Sequence, residues 1–202
     1  MTSDADSKSM YRDVRENFAV YWHAYGGVRA LVRSPYLHLA LVLTAFAYPY
    51  WSAPLWWDTV ISVLPNLLGF TLGGFAMFMG FGDEQFKRTL VATDPDAPDE
   101  PTLFVVVCGA FVHFIVMQCA ALLAALLAKA WWVYVPWPEP IARALPWLNL
   151  LGGCVGFGLF LYALTSTLAA TMHVFRMATV YDKVQRMRQQ LEEAQERSRT
   201  GH

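Results

Sequence analysis

The chain has 202 residues, 56% of them hydrophobic and only 15% charged, with a net charge of −1. That balance gives no evidence for a nucleic-acid partner, which a strongly basic surface would advertise. The apolar stretches use most of the length, so no separate soluble domain of ordinary size fits beside them.

What informs is the placement of the charges. Residues 34–57, 59–82, 101–128 and 144–175 contain no Asp, Glu, Lys or Arg. A water-soluble helix shows charge on its outer face every turn or so, and these do not. Each stretch is long enough to cross a hydrocarbon layer of about 30 Å at about 1.5 Å per residue. The expected fold is therefore all-α: a polytopic membrane protein with four transmembrane helices. The expected parts are a cytoplasmic or interfacial amphipathic segment (1–33), a transmembrane domain (34–175) and a cytoplasmic C-terminal helix (176–202).

Residues 1–9 are polar and read as disordered, and the mixed charge up to residue 33 does not read as a signal peptide. Over 10–25, Val14, Phe18, Tyr21 and Tyr25 fall at spacings of 4, 3 and 4 and share one helical face. Such a helix can lie on the inner leaflet. Gly26-Gly27 breaks it. Ser34-Pro35 then reads as an N-cap with proline at the first helical position, opening span one at about 36–56. Pro49 and Pro54 kink or end that span early.

Span two, about 60–82, holds Pro65, Asn66 and the glycines 69, 73, 74, 80 and 82. A helix interrupted at Pro65-Asn66 can expose carbonyls to a water-filled path. Thr71 is a polar position on the same helix. Phe75, Phe78 and Phe81 form a candidate apolar gate that opens by wetting. The bland alternative is a kinked helix packed by glycine contacts. After it, DEQFKRTL reads as a helix and DPDAPDEP as a proline-broken acidic loop.

Span three, about 102–128, carries His113 and Gln118, the most polar residues near mid-span. They should face protein or water. One reading makes them pore-lining or proton-sensitive. The other makes His113 a buried hydrogen-bonder, with Thr165, Ser166 or Tyr162 of span four as its partner. Span four runs from about 147 to 173 and continues as one polar helix, with Asp182–Arg186 and Glu193–Arg197 as i,i+4 pairs. Along that extension Val174, Met177, Tyr181, Val184 and Leu191 form a short heptad seam for a second subunit or a cytosolic partner.

Small residues recur every fourth position at Gly69 and Gly73, at Ala120, Ala124 and Ala128, and at Gly152 and Gly156. Such spacing lets helix backbones approach closely, within one bundle or between subunits. Lys and Arg divide 13 to 2 between the two sides if four spans cross, which puts both termini in the cytoplasm of a cell membrane. Seven of the eight tryptophans lie toward the opposite side and read as an interfacial belt.

The three cysteines (Cys108, Cys119, Cys154) sit singly in apolar stretches, so neither a disulfide framework nor a zinc site is expected. No intramembrane carboxylate, arginine ladder, GxSxG or HExxH is present, so an enzyme is not expected, nor a cofactor. The expected function is an oligomeric channel or conditional pore. Its alternatives are a non-conducting membrane anchor that recruits a cytosolic partner, and a small-solute transporter. Four spans with cytosolic helices resemble small bacterial membrane effectors and membrane components of antiphage defence modules. That resemblance is architectural and carries no residues over.

Overall fold

A computed structural model describes residues 3–80, 84–92, 100–132 and 138–200, with backbone alone for 3–9, 85, 87, 89 and 198–200. Phe81, Trp137 and most of the acidic loop lie outside the described residues. Everything described is helix or short connection: α1 (Ser3–Tyr25), α2 (Gly27–Arg33), α3 (Pro35–Phe46), α4 (Tyr48–Trp51), α5 (Trp56–Gly80), α6 (Glu84–Val91), α7 (Leu103–Trp131) and α8 (Glu139–Thr200).

Three of these, α5, α7 and α8, are long and apolar enough to cross a membrane. The first apolar stretch differs from the single span expected of it. It opens as anticipated, with Pro35 in the first turn of α3, but α3 has only 12 residues, or about 18 Å. The chain breaks at Ala47 and resumes as the single turn α4, whose first turn holds Pro49. A proline ring crowds the carbonyl four residues back and offers no N–H, which favours a break here and leaves Pro49 in a first turn, where that N–H would be unpaired anyway. The link to α5 then passes through Leu55 at φ 73°, a left-handed conformation that strains a branched side chain.

Two core clusters hold the bundle. One, at the tryptophan end, gathers Trp51 and Trp56 with Val60, Ala121, Phe157 and Phe160. The other, at the basic end, gathers Phe78 and Phe86 with Phe111, Phe114, Ala170 and Met177. Between lipid-facing helices such clusters hold by close packing more than by escape from water. α3 and α4 follow α8 over a short length only, from the Thr165 hydroxyl on the Tyr36 carbonyl (2.9 Å) to the contact of Trp51 with Gly153.

The rest of that side, toward the basic end, is closed by α1. Ala24 is buried against α7, where a Cβ at Gly109 would come within 2.9 Å of the Ala24 methyl and 3.2 Å of the α1 backbone. Gly26 (φ 97°) and Gly27 (φ 65°) make the reversal between α1 and α2 that permits this. The apolar face foreseen on α1 thus splits: Val14 and Phe18 stay exposed, while Tyr21 and Tyr25 enter the bundle. The helix also starts earlier than expected, at Ser3.

α8 runs unbroken for 62 residues and takes Pro146 into its second turn. The helix expected to open at about 147 therefore begins earlier, at Glu139. Its far end carries the anticipated ion pairs Asp182–Arg186 (2.9 Å) and Glu193–Arg197 (3.8 Å). α6 lies against the α7–α8 pair, burying Phe86 and Leu90, with Phe86 edge-on to Tyr181.

Candidate functional site

His113 of α7 has no exposed surface. Its Nε2 pairs with the Tyr162 hydroxyl of α8 at 2.9 Å. Of the three partners the sequence allowed, Tyr162 is the one used. The imidazole also stacks on Tyr25 of α1, with centroids 3.8 Å apart and planes 17° apart. Tyr21 and Trp22 lie further out at 6.4 and 6.3 Å. The Tyr25 and Tyr162 hydroxyls meet at 3.4 Å. One side chain of α7 thereby ties α1 and α8 together. Burial, and then the neighbouring Tyr25, push the Tyr21 phenol above its ordinary pKa.

Five residues further along α7, Gln118 is equally buried and faces α5 instead. Its Nε2 donates to the Thr71 hydroxyl at 2.9 Å, which donates in turn to the Leu67 carbonyl at 2.9 Å. His113 Nδ1 and Gln118 Oε1 have no hydrogen-bond partner among the described residues. Each unpaired buried atom costs about 1–3 kcal/mol, so these residues are not explained by stability alone. Among the described residues, no three His, Cys, Asp or Glu side chains gather as a metal site would require.

Two cavities flank this polar layer. One of about 300 Å³ opens beside Tyr25, Arg33, Tyr36, Tyr162 and His173. The other, about 320 Å³, is an apolar groove between α5 and α8 past Phe70, Thr71, Met77 and Val174.

The candidate gate residues lie elsewhere. α5 continues through Pro65 without interruption, so the proline opens no gap in the helix; a proline removes one hydrogen bond and neighbouring turns absorb it. Pro65 and Asn66 are exposed on the outside of the chain. Asn66 Nδ2 has only a long bond, 3.4 Å, to the Ser62 carbonyl. Phe78 is buried, stacked at 5.9 Å on Phe104 and 5.8 Å on Phe111. Phe75 is half-buried and packs on Phe111 at 5.4 Å.

The small residues also sort by face. Ideal Cβ atoms at Gly69, Gly73 and Gly152 would meet nothing within 4 Å, whereas one at Gly156 would overlap the Trp56 ring. On α7 the fully buried alanines are Ala121 and Ala125, with Ala120 and Ala124 half-buried beside them. Of the heptad seam, Met177 is buried, Tyr181 is half-buried against Phe86 of α6 and Val184 is half-buried, leaving Val174 and Leu191 exposed.

Sequence reasoning missed Tyr21, Trp22 and Tyr25 as neighbours of His113. The available signal was Gly109, a glycine one turn before His113 that admits a crossing helix. Compared with known proteins, the chain matches no family model, no curated protein and no solved structure.

Proposed function

We propose that the protein is a homo-oligomeric channel of a cell membrane, with α5 lining or bordering the path and both termini cytoplasmic. In this reading the α3–α4 segment completes a fourth, broken crossing. The observation that carries it is the outer face of α5. Ser62, Asn66, Gly69, Gly73, Ala76 and Gly80 follow one another at spacings of 4, 3, 4, 3 and 4, and all are exposed. Asn66 stands near the middle of the 25-residue helix. An amide facing lipid at that depth is costly and calls for a partner or for water. A second copy, or a path between copies, supplies either.

The reading moves the conducting surface from the phenylalanines to this polar, small-residue stripe. Phe78 is taken up inside the chain and is not free to line an axis. Asn66→Leu, made on an exposed position, tests the stripe without emptying the core. Ion flux through liposomes at matched protein content should fall at least about tenfold relative to wild type, because a barrier near 1.4 kcal/mol suffices for that. Unchanged flux from an assembled mutant, or none from assembled wild type, defeats the channel reading.

The anchor reading keeps one specific support: α8 projects its charged stretch beyond Met177 as a continuous helix, with its residues exposed from Gln189 to Arg197. Deleting residues 189–202 should then abolish recruitment of a cytosolic partner while leaving the bundle folded.

A further inference from the structure

Trp51, Trp56, Trp57, Trp131, Trp132 and Trp147 line one cavity of about 580 Å³ at the tryptophan end, between the start of α5, the end of α7 and the first turns of α8. An interfacial belt would turn its indoles outward to the headgroups. Half of these do the opposite. Trp51, Trp56 and Trp57 are 7%, 4% and 5% exposed and form a floor, while Trp131, Trp132 and Trp147 stand exposed at the rim. The floor is made possible by glycine: a Cβ at Gly153 would fall 2.5 Å from the Trp51 carbonyl oxygen, and one at Gly156 would strike Trp56. The walls are set at steep angles, 68° between Trp56 and Trp57 and 51° between Trp57 and Trp132. Rings inclined this way are not the parallel pair that would sandwich a flat group.

The chemistry narrows the ligand. No Lys, Arg, Asp or Glu lines the cavity. The two cations of this end are both engaged by carboxylates, Lys129 with Asp58 at 2.8 Å and Arg143 with Glu139. The π faces of indoles attract cations, and several around one site add. A primary ammonium would need acceptors for three N–H bonds, and an alkali ion would need replacement of its hydration shell. Ser52 and Asn149 are the polar side chains present that could serve as acceptors. A quaternary ammonium needs none, and it matches a volume in the range of small-ligand sites.

We propose that this cavity binds a quaternary ammonium group of the choline type, presented by a lipid headgroup or by a soluble cation. The full-length protein in phosphatidylglycerol nanodiscs, titrated calorimetrically, tests it. Choline should bind at least about tenfold more tightly than its neutral carbon isostere, in which a quaternary carbon replaces the nitrogen. Trp147→Leu and Trp131→Leu, both at exposed rim positions, should each weaken choline about threefold or more while leaving the circular dichroism unchanged. Repeating the titration in phosphatidylcholine nanodiscs separates the sources. Loss of soluble choline binding there assigns the site to the lipid headgroup, and retention assigns it to the soluble cation. Equal binding of choline and its isostere, no choline binding, or indifference to both rim variants overturns the proposal.

Discussion

The two faces of α5 cross the same depth of the same bundle and are built on opposite rules. Val60, Leu64, Thr71 and Phe78 point into the chain and are buried. Each has a named neighbour: Val60 and Leu64 in the tryptophan-end core, Thr71 under Gln118, Phe78 between Phe104 and Phe111. The other face presents Ser62, Asn66, Gly69, Gly73, Ala76 and Gly80, and among the described residues a Cβ at either central glycine would meet nothing within 4 Å beyond its own helix. Hydropathy does not separate the faces, since both are largely apolar. Size and polarity do. Bulky side chains fill the space between helices of one chain, while small ones with a single amide leave a surface on which another backbone can lie.

The largest expected effect comes from hollowing the packed face. Phe78→Ala removes a buried ring held between two others. Truncations of this kind cost about 3–5 kcal/mol, and the void here lies where α5, α7 and α8 meet. Thermal unfolding in mild detergent should show a strongly lowered midpoint. Phe70→Ala, on the same helix but 74% exposed, should stay within about 0.5 kcal/mol of wild type. Equal losses for the two would mean that the faces are not distinct.

A smaller effect is expected from the polar contact on the packed face. Gln118→Leu leaves the Thr71 hydroxyl with its bond to the Leu67 carbonyl but removes its donor from α7. It also removes Oε1, which has no partner among the described residues. The loss of the bond and the relief of the unpaired atom oppose each other, so the net cost should be about 1 kcal/mol or less. Thr71→Val with Gln118→Leu should cost no more than the sum of the two single changes, because neither polar partner is then stranded. A double mutant far less stable than that sum would show that the pair belongs to a larger network.

Much of this arrangement was legible beforehand, and the rest was not for identifiable reasons. Pro49 announced a weak point in the first helix, because its ring removes one backbone hydrogen bond and crowds the preceding turn; Pro65, inside unbroken α5, shows that the surroundings decide whether the helix stops. His113 announced a buried partner, because a neutral imidazole among apolar neighbours needs one. The docking of α1 was hidden. Val14, Phe18, Tyr21 and Tyr25 form an apolar face that serves equally for lying on a leaflet and for packing on α7, and Gly26-Gly27 signals a reversal without its direction. The register of the alanine ladder is ambiguous in the sequence, because Ala120, Ala121, Ala124 and Ala125 support two overlapping registers. The bundle as a whole picks Ala121 and Ala125 for the core. Depth in the sequence alone makes the tryptophans a belt. Only the glycines that seat Trp51 and Trp56, at 153 and 156, mark a cavity, and their partners lie some 100 residues away in sequence.

The smallest expected effect on the fold is also the sharpest test of the open face. A Cβ at Gly73 meets nothing within 4 Å, so Gly73→Leu should leave the single chain's stability within about 0.5 kcal/mol of wild type. Any change should be a slight gain, since glycine in a helix interior costs about 1 kcal/mol relative to alanine. Between subunits the same leucine acts as a wedge. It separates backbones that Gly69 and Gly73 would otherwise bring into contact, and it lifts Asn66 away from a partner across the seam. Size-exclusion chromatography with light scattering in mild detergent should therefore show wild type as an oligomer and Gly73→Leu shifted toward monomer, with unfolding midpoints nearly the same. Gly152→Leu is the matched control, since that glycine also faces open space but lies on α8 at the tryptophan end, away from the stripe. It should leave the oligomer intact. An oligomer unchanged by Gly73→Leu would move the subunit contact off α5, and the channel would lose the one surface on which it rests.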